Sequence, residues 1–380
     1  MKRSADVVII GAGVTGAALA YELARRGIRD VLIFERKFPC SGASGRCGGG
    51  IRQQFTTPHN IRLAMESVNR YETLSEELGV DIEFVQGGYL ILAETEEERE
   101  AQRKAVALQN ELGLPSRLLT PREAKEVLPL LDETTIVSAT YCPTDAHANP
   151  FRVVEGYLTR ARERGVVLEK FTEVVDLEVK EGRIVKVRTS RGDVAPGTVV
   201  NAAGAWSREI ARMAGVELPN QPIRHEIAIT EPVEFFMDVM VISIHNGIYF
   251  SQTKEGQIIG GIGDPEEKPG YNISSSLGFL RRYARELLRY VPALGQLSVL
   301  RQWAGLYDVT PDAQPVLGPT PGLENFIQAN GYSGHGFMIA PAVARHLADY
   351  IEKGIVSEIL EKLSLERFKE EIRGEAFVVG

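Results

Sequence analysis

The sequence predicts an α/β fold in which a parallel-sheet domain, interrupted twice along the chain, carries a second, mostly antiparallel layer. Three observations predict it. The first 35 residues follow the order strand, glycine-rich turn, helix and strand, and further strand–helix segments occur in the middle and at the end of the chain. Two blocks between them are richer in strands and turns. The predicted first domain therefore comprises residues 1–83, 145–215 and 318–380, and the second comprises residues 84–144 and 216–317.

The N-terminal unit is the clearest of these segments. An apolar run at residues 7–10 leads into Gly11, Gly13 and Gly16, and a second apolar run ends at Glu35. In a dinucleotide-binding turn, the first glycine allows the tight bend, the second lets the backbone approach a pyrophosphate, and the third lets helix and strand pack closely. A carboxylate at the end of the second strand accepts hydrogen bonds from a ribose. The unit predicts a dinucleotide site, and the alternative is a glycine-rich turn without a ligand.

The remaining elements follow from hydrophobic periodicity. Helical patterns cover residues 17–27, 58–78, 94–112, 151–165, 276–290, 340–354 and the charged tail 355–373. Strand patterns cover residues 87–93, 166–169, 173–179, 184–189, 198–207, 227–230, 240–244, 247–250, 257–261 and 325–329. Residues 330–336 form a second glycine-rich turn immediately before a predicted helix.

Composition excludes several classes of protein. The chain has 380 residues and a formal charge of −8, which argues against a nucleic-acid partner. It has no apolar run long enough for a membrane span, and its N-terminus has no apolar signal region, so we expect a cytoplasmic protein. Three cysteines without metal-ligand spacing and six scattered histidines predict no metal site and no disulfide framework.

The layout and motifs resemble the D-amino-acid-oxidase-like family of FAD enzymes over essentially the whole chain. Within it, the sequence is most similar to the branch of sarcosine oxidase β subunits and archaeal dye-linked L-proline dehydrogenase β subunits. The resemblance implies FAD rather than NAD, an FAD-binding first domain and a substrate-binding second domain. Five stretches carry it: residues 11–16 with 35–36, 43–52, 199–206, 301–312 and 331–341.

The glycine-rich unit and the resemblance together predict a set of cofactor-binding residues. The last turn is expected to serve the flavin ring, because N–H groups at a helix start stabilise negative charge. The set is Gly11, Ala12, Gly13, Val14, Thr15, Gly16, Glu35, Arg36, Ala43, Ser44, Gly45, Arg46, Gly49, Gly50, Ile51, Val174, Ala203, Gly204, Trp206, Gly305, Gly331, Ser333, Gly334, His335, Gly336 and Met338.

Four residues are the candidates for contact with a substrate. The resemblance implies that Arg52 grips a substrate carboxylate, for which a guanidinium offers two parallel hydrogen bonds. His225 and Tyr249 lie on strands of the second block, which by analogy forms the substrate wall. Tyr307 stands within the fourth motif, residues 301–312, which the resemblance places near the flavin. The alternative for each is structural: a surface or phosphate-binding arginine, a core histidine and packed tyrosines.

Departures from the family pattern refine the expectation. Gly305 stands where monomeric sarcosine oxidases carry the cysteine that bonds FAD, so FAD should be non-covalent. Met338 replaces a carboxylate-binding lysine, and residues 257–259 lack the lysine that helps those oxidases react with oxygen. Pro150 stands where heterotetrameric enzymes carry FMN on a histidine, which excludes covalent FMN. The resemblance to proline dehydrogenases still implies non-covalent FMN at a subunit interface.

The sequence therefore predicts an FAD-dependent dehydrogenase that takes a hydride from the α-carbon of a secondary-amine amino acid and passes electrons to a further carrier. L-Proline, giving 1-pyrroline-5-carboxylate, is the first substrate, and the expected partners are an α subunit and other electron-transfer subunits. One alternative is a sarcosine, glycine or D-amino-acid oxidase that produces hydrogen peroxide. Another is a non-catalytic, flavin-bearing electron-transfer subunit.

Overall fold

A computed structural model describes residues 2–369 and 374–376 of the chain. The strands are β1 (Ser4–Ile10), β2 (Val31–Glu35), β3 (Gly50–Ile51), β4 (Tyr89–Ala93), β5 (Arg117–Leu119), β6 (Ser138–Cys142), β7 (Ala146–His147), β8 (Val167–Lys170), β9 (Val174–Lys180), β10 (Arg183–Thr189), β11 (Gly192–Asn201), β12 (Gln221–Pro232), β13 (Met240–Ser243), β14 (Tyr249–Gln252), β15 (Gln257–Ile262), β16 (Val299–Val309), β17 (Val316–Thr320) and β18 (Leu323–Asn330). The helices are α1 (Val14–Arg25), α2 (Pro58–Leu78), α3 (Glu96–Glu111), α4 (Pro121–Val127), α5 (Pro150–Glu163), α6 (Ser207–Met213), α7 (Leu277–Tyr290), α8 (Gly336–Lys353) and α9 (Glu358–Lys362).

The first sheet is built around three strands that are buried on both faces. Its order is β17-β18-β11-β1-β2-β8, and β1 pairs in parallel with both β2 and β11. Val8 lies beside Leu32 on one side and Val199 on the other, and all three are fully buried. Helices α1, α5 and α8 cover one face, and the β9–β10 hairpin and α6 lie on the other. Continuous apolar strands are expected where helices and other elements cover both faces of a parallel sheet.

The second sheet has the order β16-β12-β15-β14-β13-β4-β6-β5, and all its neighbours are antiparallel except β13 and β4. Helix α7 packs against β15 and buries Phe279, Tyr283 and Leu287 in a core shared with the strands. The predicted α/β class with a second, mostly antiparallel layer is confirmed.

Local boundaries differ from the sequence expectation at several places. Helix α8 begins at Gly336, not near 340, although Pro341 cannot donate to the carbonyl of Phe337. The Tyr71 hydroxyl donates to that carbonyl instead, at 2.7 Å. The Phe337 carbonyl therefore keeps a hydrogen-bond partner although the helix starts a turn earlier. Helix α4 was not predicted; it is short and begins with a capping box between Thr120 and Glu123.

The charged tail is only partly helical among the residues that the structure describes. It contains α9 and one 3-10 turn, Leu365–Lys369, while residues 370–373 of the predicted tail lie outside the described ranges. Within residues 2–369 and 374–376, no helix combines the length and apolar character that crossing a bilayer requires.

Candidate active site

A cavity of about 730 Å³ opens where β1, β2 and β11 end. Parallel strands direct their carboxyl ends to one edge of the sheet, which is where α/β proteins bind ligands. The wall also includes a 3-10 turn, Ala43–Arg46, and the turn before α8. The volume is in the range of small-molecule and cofactor sites.

The phosphate end of this cavity is defined by backbone that leaves no room for side chains. Gly11 has φ +111°, and a Cβ there would lie 2.4 Å from the Ala202 carbonyl oxygen. A Cβ on Gly13 would lie 3.2 Å from Ser44 Oγ, which accepts a hydrogen bond from Val14 N at 3.0 Å. Helix α1 begins here without a side-chain cap. Its free N–H groups fit a pyrophosphate, so the residues present match the FAD that the motifs predict.

The acidic residue lies at the wall of the same cavity, next to the glycine-rich turn. Glu35 accepts hydrogen bonds from Ala12 N at 3.1 Å and Lys37 N at 2.8 Å, which fixes its carboxylate at the cavity wall. Beside it, the Arg36 guanidinium lies 4.0 Å from the ring centroid of Trp206. A carboxylate held in this way is suited to accept hydrogen bonds from ribose hydroxyls.

A second, smaller cavity of about 80 Å³ adjoins the first. Four residues line both: Cys47, Tyr307, Gly334 and Phe337. Its other walls come from the segment of residues 47–52, from the turn before α8 and the start of that helix, and from strands β4, β13 and β14 of the second sheet. The small cavity therefore lies between the two sheets.

Arg52 is the charged group of the small cavity. Its side chain is 4% exposed, and its guanidinium donates to the Gln54 carbonyl at 2.7 Å and lies 4.4 Å from the Phe55 ring centroid. Within residues 2–369 and 374–376 it forms no ion pair; Glu375 and Asp145 act on it only from a distance, and burial lowers its pKa. A buried cation without a contacting carboxylate is costly unless a ligand supplies the negative charge.

Three aromatic rings stack on one another beside the small cavity. The rings of His225 and Tyr307 lie 4.4 Å apart at 7°, and those of His225 and Tyr249 lie 5.6 Å apart at 19°. The two tyrosines line the small cavity, whereas His225 lies behind them and lines neither cavity. Burial lowers the pKa of His225 to about 4 and raises the pKa values of both tyrosines. At neutral pH the rings are uncharged.

The turn before α8 brings backbone and His335 to the junction of the cavities. Gly331, Ser333 and Gly334 all have positive φ, and Ser333 is the non-glycine residue among them. His335 is 3% exposed and lines the small cavity, and neither of its ring nitrogens has a hydrogen-bond partner in the part of the chain that the structure describes. Burial and the nearby Arg52 lower its pKa to about 3. Unpartnered buried nitrogens at a cavity wall indicate a place where a ligand supplies the partner.

Most of the sequence-predicted cofactor residues lie together at these cavities. The large cavity is lined by Gly11, Gly13, Val14, Thr15, Glu35, Arg36, Ala43, Ser44, Arg46, Val174, Ala203, Gly204, Trp206, Gly334 and Gly336. The small cavity is lined by Gly49, Gly50, Ser333, His335 and Met338, together with Arg52, Tyr249 and Tyr307.

Seven predicted residues line neither cavity: Ala12, Gly16, Gly45, Ile51, His225, Gly305 and Gly331. Most of them support the wall from behind. A Cβ on Gly16 would lie 2.1 Å from the Gly11 carbonyl oxygen, and one on Gly305 would lie 3.1 Å from Arg46 Cβ.

Sequence reasoning missed several lining residues. Tyr89 and Met240 border the small cavity, and Tyr271 and Tyr332 border the large one. Tyr89 and Met240 lie in apolar strands, where a pocket-lining side chain has the same local pattern as a core side chain. The glycine-rich turn around Tyr332 was predicted to serve the flavin, so the position of Tyr332 in that turn could have identified it as a lining residue.

Comparison with known proteins agrees with this geometry. The model of the DAO family, FAD dependent oxidoreductase, matches residues 6–350. The sarcosine oxidase subunit beta of Rhodobacter capsulatus is 30% identical over 376 residues, covering 97% of this chain and 90% of the relative. L-proline dehydrogenase from P. horikoshii superposes with a TM-score of 0.93 at 39% identity, covering 98% of this chain and all of the other.

A third relative has the same architecture. Glycine oxidase from Geobacillus kaustophilus superposes with a TM-score of 0.89 at 29% identity, covering 96% of this chain and 99% of the other. The match of the family model extends from β1 into α8, so it includes both glycine-rich turns and the whole second sheet. The chain belongs to the DAO family of FAD-dependent oxidoreductases.

Proposed function

We propose that the chain is an FAD-dependent dehydrogenase that removes a hydride from the α-carbon of a secondary-amine amino acid, with L-proline as substrate and 1-pyrroline-5-carboxylate as product. The observation that carries the proposal is Arg52, a buried cation at the small cavity without an ion-pair partner among residues 2–369 and 374–376. FAD, when bound, supplies the two-electron acceptor. The names of two similar proteins, an L-proline dehydrogenase and a sarcosine oxidase subunit, support the substrate class.

The charge of the small cavity favours one ionic form of an amino acid. Of the described residues that line it, Arg52 alone carries a permanent charge, His335 is neutral, and Tyr249 and Tyr307 stay protonated. A site with one positive and no negative charge stabilises a carboxylate and disfavours an ammonium group. The bound substrate is then a carboxylate with a neutral amine, which is the form that gives up a hydride.

The remaining wall suits a small aliphatic body. Met240, Ile242 and Met338 line the same cavity, and the volume of about 80 Å³ is small. Arg52 binds the carboxylate, the methionine and isoleucine side chains contact methylene groups, and the tyrosine rings exclude water. A small cyclic amino acid uses both the charged and the apolar part of this pocket.

The proposal of a dehydrogenase rests on the second sheet. Strand β15 contains no lysine, although the family resemblance associates a lysine on this strand with reaction with oxygen. We propose that electrons leave through partner subunits, an α subunit among them, as the subunit name of the sarcosine oxidase relative suggests. FMN at a subunit interface and a cytoplasmic location stay predictions of the sequence.

The second candidate function is an oxidase of glycine or sarcosine, favoured by the similarity to a glycine oxidase. Two assays on the FAD-loaded protein separate the candidates. We expect L-proline to reduce an artificial dye acceptor rapidly while hydrogen peroxide forms slowly under air. Peroxide formation at the rate of substrate turnover, with glycine or sarcosine preferred, would establish the oxidase instead.

A further inference from the structure

One segment of the second block reaches the cofactor cavity. Residues 263–276, which we name the crossover loop, connect β15 to α7. Tyr271 and Ile273 of this loop line the large cavity, although both neighbouring elements belong to the second sheet and its covering helix. The cavity wall at this point therefore comes from both layers of the fold.

Tyr271 makes a defined contact across the cavity mouth. Its ring stacks on Trp206, with the ring centroids 5.6 Å apart and the planes at 17°. Burial and the neighbouring Glu209 carboxylate raise the pKa of Tyr271 to about 12. The ring nevertheless stays 41% exposed, so a flat aromatic surface faces the cavity and solvent.

The loop is held on both sides of Tyr271. Arg224 of β12 donates to the Glu267 carboxylate at 2.6 and 3.0 Å and to the Ser274 carbonyl at 2.8 Å. Gly270 N donates to the Pro222 carbonyl at 2.8 Å. Because these contacts fix the backbone before and after it, the exposed ring is positioned before any ligand arrives, which lowers the cost of binding.

The position along the cavity indicates what this ring contacts. Gly11, Gly13 and the start of α1 form the phosphate end. Trp206 lies beside Arg36, which directly follows the ribose-binding candidate Glu35, so the aromatic pair lies at the adenosine end. An adenine has an apolar π-face, and aromatic side chains bind such faces by stacking and by contact along the ring edge.

We propose that Tyr271, together with Trp206, binds the adenine of FAD, so that a loop of the second block retains the cofactor held by the first. This role is independent of which amino acid the enzyme oxidises. It assigns a cofactor-binding residue to a segment in which sequence reasoning found none.

The test is the rate of FAD release from the loaded protein, followed by the increase in flavin fluorescence. Tyr271→Ala should accelerate release about tenfold, because one aromatic contact to the adenine base is lost. Tyr271→Phe, which keeps the ring, should stay within about twofold of the parent. Lys268→Ala is the matched control, since Lys268 is exposed in the same loop and lines neither cavity.

Measuring ADP binding separates a loss of contact with the adenine from a general destabilisation of the protein. The chain contains two tryptophans, so a Trp303→Phe background leaves Trp206 as the reporter of ADP binding to the apoprotein. Tyr271→Ala should weaken ADP about tenfold while the thermal unfolding midpoint of the apoprotein is unchanged. Unchanged FAD release, or faster release with unchanged ADP affinity, would overturn the proposal. So would an equal effect of Lys268→Ala.

Discussion

Arg52 carries the account at the scale of single residues. Asp145, a buried carboxylate that acts on Arg52 from a distance, already accepts hydrogen bonds from Gln53 and Gln54 at 2.7 to 3.1 Å. Burial raises the pKa of Asp145 to about 6, and its carboxylate acts on Arg52 only from a distance. Among residues 2–369 and 374–376, no carboxylate contacts this buried cation, and such an arrangement suits an anionic ligand.

Replacing Arg52 separates a binding role from a structural one. Arg52→Ala should lower kcat/KM for L-proline by about 10- to 150-fold or more, because a charge-assisted hydrogen bond contributes about 1.5–3 kcal/mol. The apoprotein should unfold at the same or a higher temperature, because the variant no longer buries an unpaired charge. The kcat/KM of Arg52→Lys should lie between those of the parent and of Arg52→Ala, because lysine keeps the positive charge but lacks the planar guanidinium.

The opposite pattern would refute the clamp. If Arg52→Ala lowers the unfolding temperature strongly and leaves kcat/KM unchanged, the guanidinium supports the loop through Gln54 and Phe55 and does not bind substrate.

His225 gives a prediction on the pH dependence of stability. Its pKa is lowered to about 4 by burial and by the Arg282 charge, from 6.5 in the unfolded chain. A depressed pKa adds stability that is complete above pH 6.5 and is lost as the pH falls towards 4. Between pH 7.5 and 4.5, the loss in the free energy of unfolding amounts to about 2–3 kcal/mol. His225→Phe keeps a stacked ring but has no group that titrates there, so it should not show this loss.

The measurement is the unfolding midpoint of the apoprotein at the two pH values. His335, Asp145 and Asp308 titrate in both proteins, so only the difference between parent and variant reports His225. The midpoint of His225→Phe should fall less on acidification than that of the parent. An equal fall in both proteins would show that His225 is protonated in the folded state near pH 6.5.

At the scale of elements, the turn between β18 and α8 is the most constrained feature of the site. Asp308 of β16 holds it twice: its carboxylate accepts from Gly331 N at 2.5 Å, and its carbonyl accepts from Ser333 N at 2.9 Å. Asn220 donates to the same carboxylate, and burial still raises the pKa of Asp308 to about 7. A strand of the second sheet thereby fixes a turn with three positive φ angles at the flavin end of the cavity.

Asp308→Ala should weaken FAD binding about tenfold, because it leaves a buried backbone N–H unpaired at a cost of about 1–3 kcal/mol and frees the turn. Asp308→Asn is the matched control. Its amide oxygen can accept a hydrogen bond from Gly331 N. Its NH₂ can donate to the Asn220 side-chain oxygen, which has no hydrogen-bond partner among the described residues. FAD titration of the two apoproteins checks this, and equal affinities for Ala and Asn variants would contradict it.

How far the sequence predicts an element depends on whether its pattern is local. The β1–α1–β2 unit was predicted because apolar runs, glycine spacing and Glu35 all lie within 35 residues of the N-terminus. Strand β16 was noticed only as a motif. Its first three residues are exposed, it lies at a sheet edge, and its partner β12 is distant in the sequence, so no local alternation reveals it.

The same limit applies to the candidate site. His225 was predicted to face the substrate, and the register of β12 against β16 places it opposite Gly305 and behind Tyr307 instead. Side chains alternate between the two faces of a strand. The face on which a residue lies relative to the cavity therefore depends on how the second sheet packs against the rest of the fold. Residue identity alone does not determine it.

At the scale of the whole molecule, the candidate site lies where the two sheets meet. Elements of the first sheet supply most of the large cavity, the segment of residues 47–52 supplies Arg52, and β4, β13, β14 and β16 supply further walls of the small cavity. Each segment is far from the others in sequence, and the small cavity exists only in the assembled fold. The resemblance to a family was therefore needed to connect a glycine-rich turn at Gly11 with the carboxylate-binding role proposed for Arg52.

The most direct test of the account is anaerobic addition of L-proline to the FAD-loaded chain, followed through the oxidised-flavin absorbance band at about 450 nm. The account predicts that the band bleaches with saturable dependence on L-proline, and that Arg52→Ala requires much higher concentrations for the same rate. A band that stays unchanged with L-proline, sarcosine, glycine and D-amino acids, in a protein that binds FAD, would contradict it. That result would identify a flavin-bearing electron-transfer subunit.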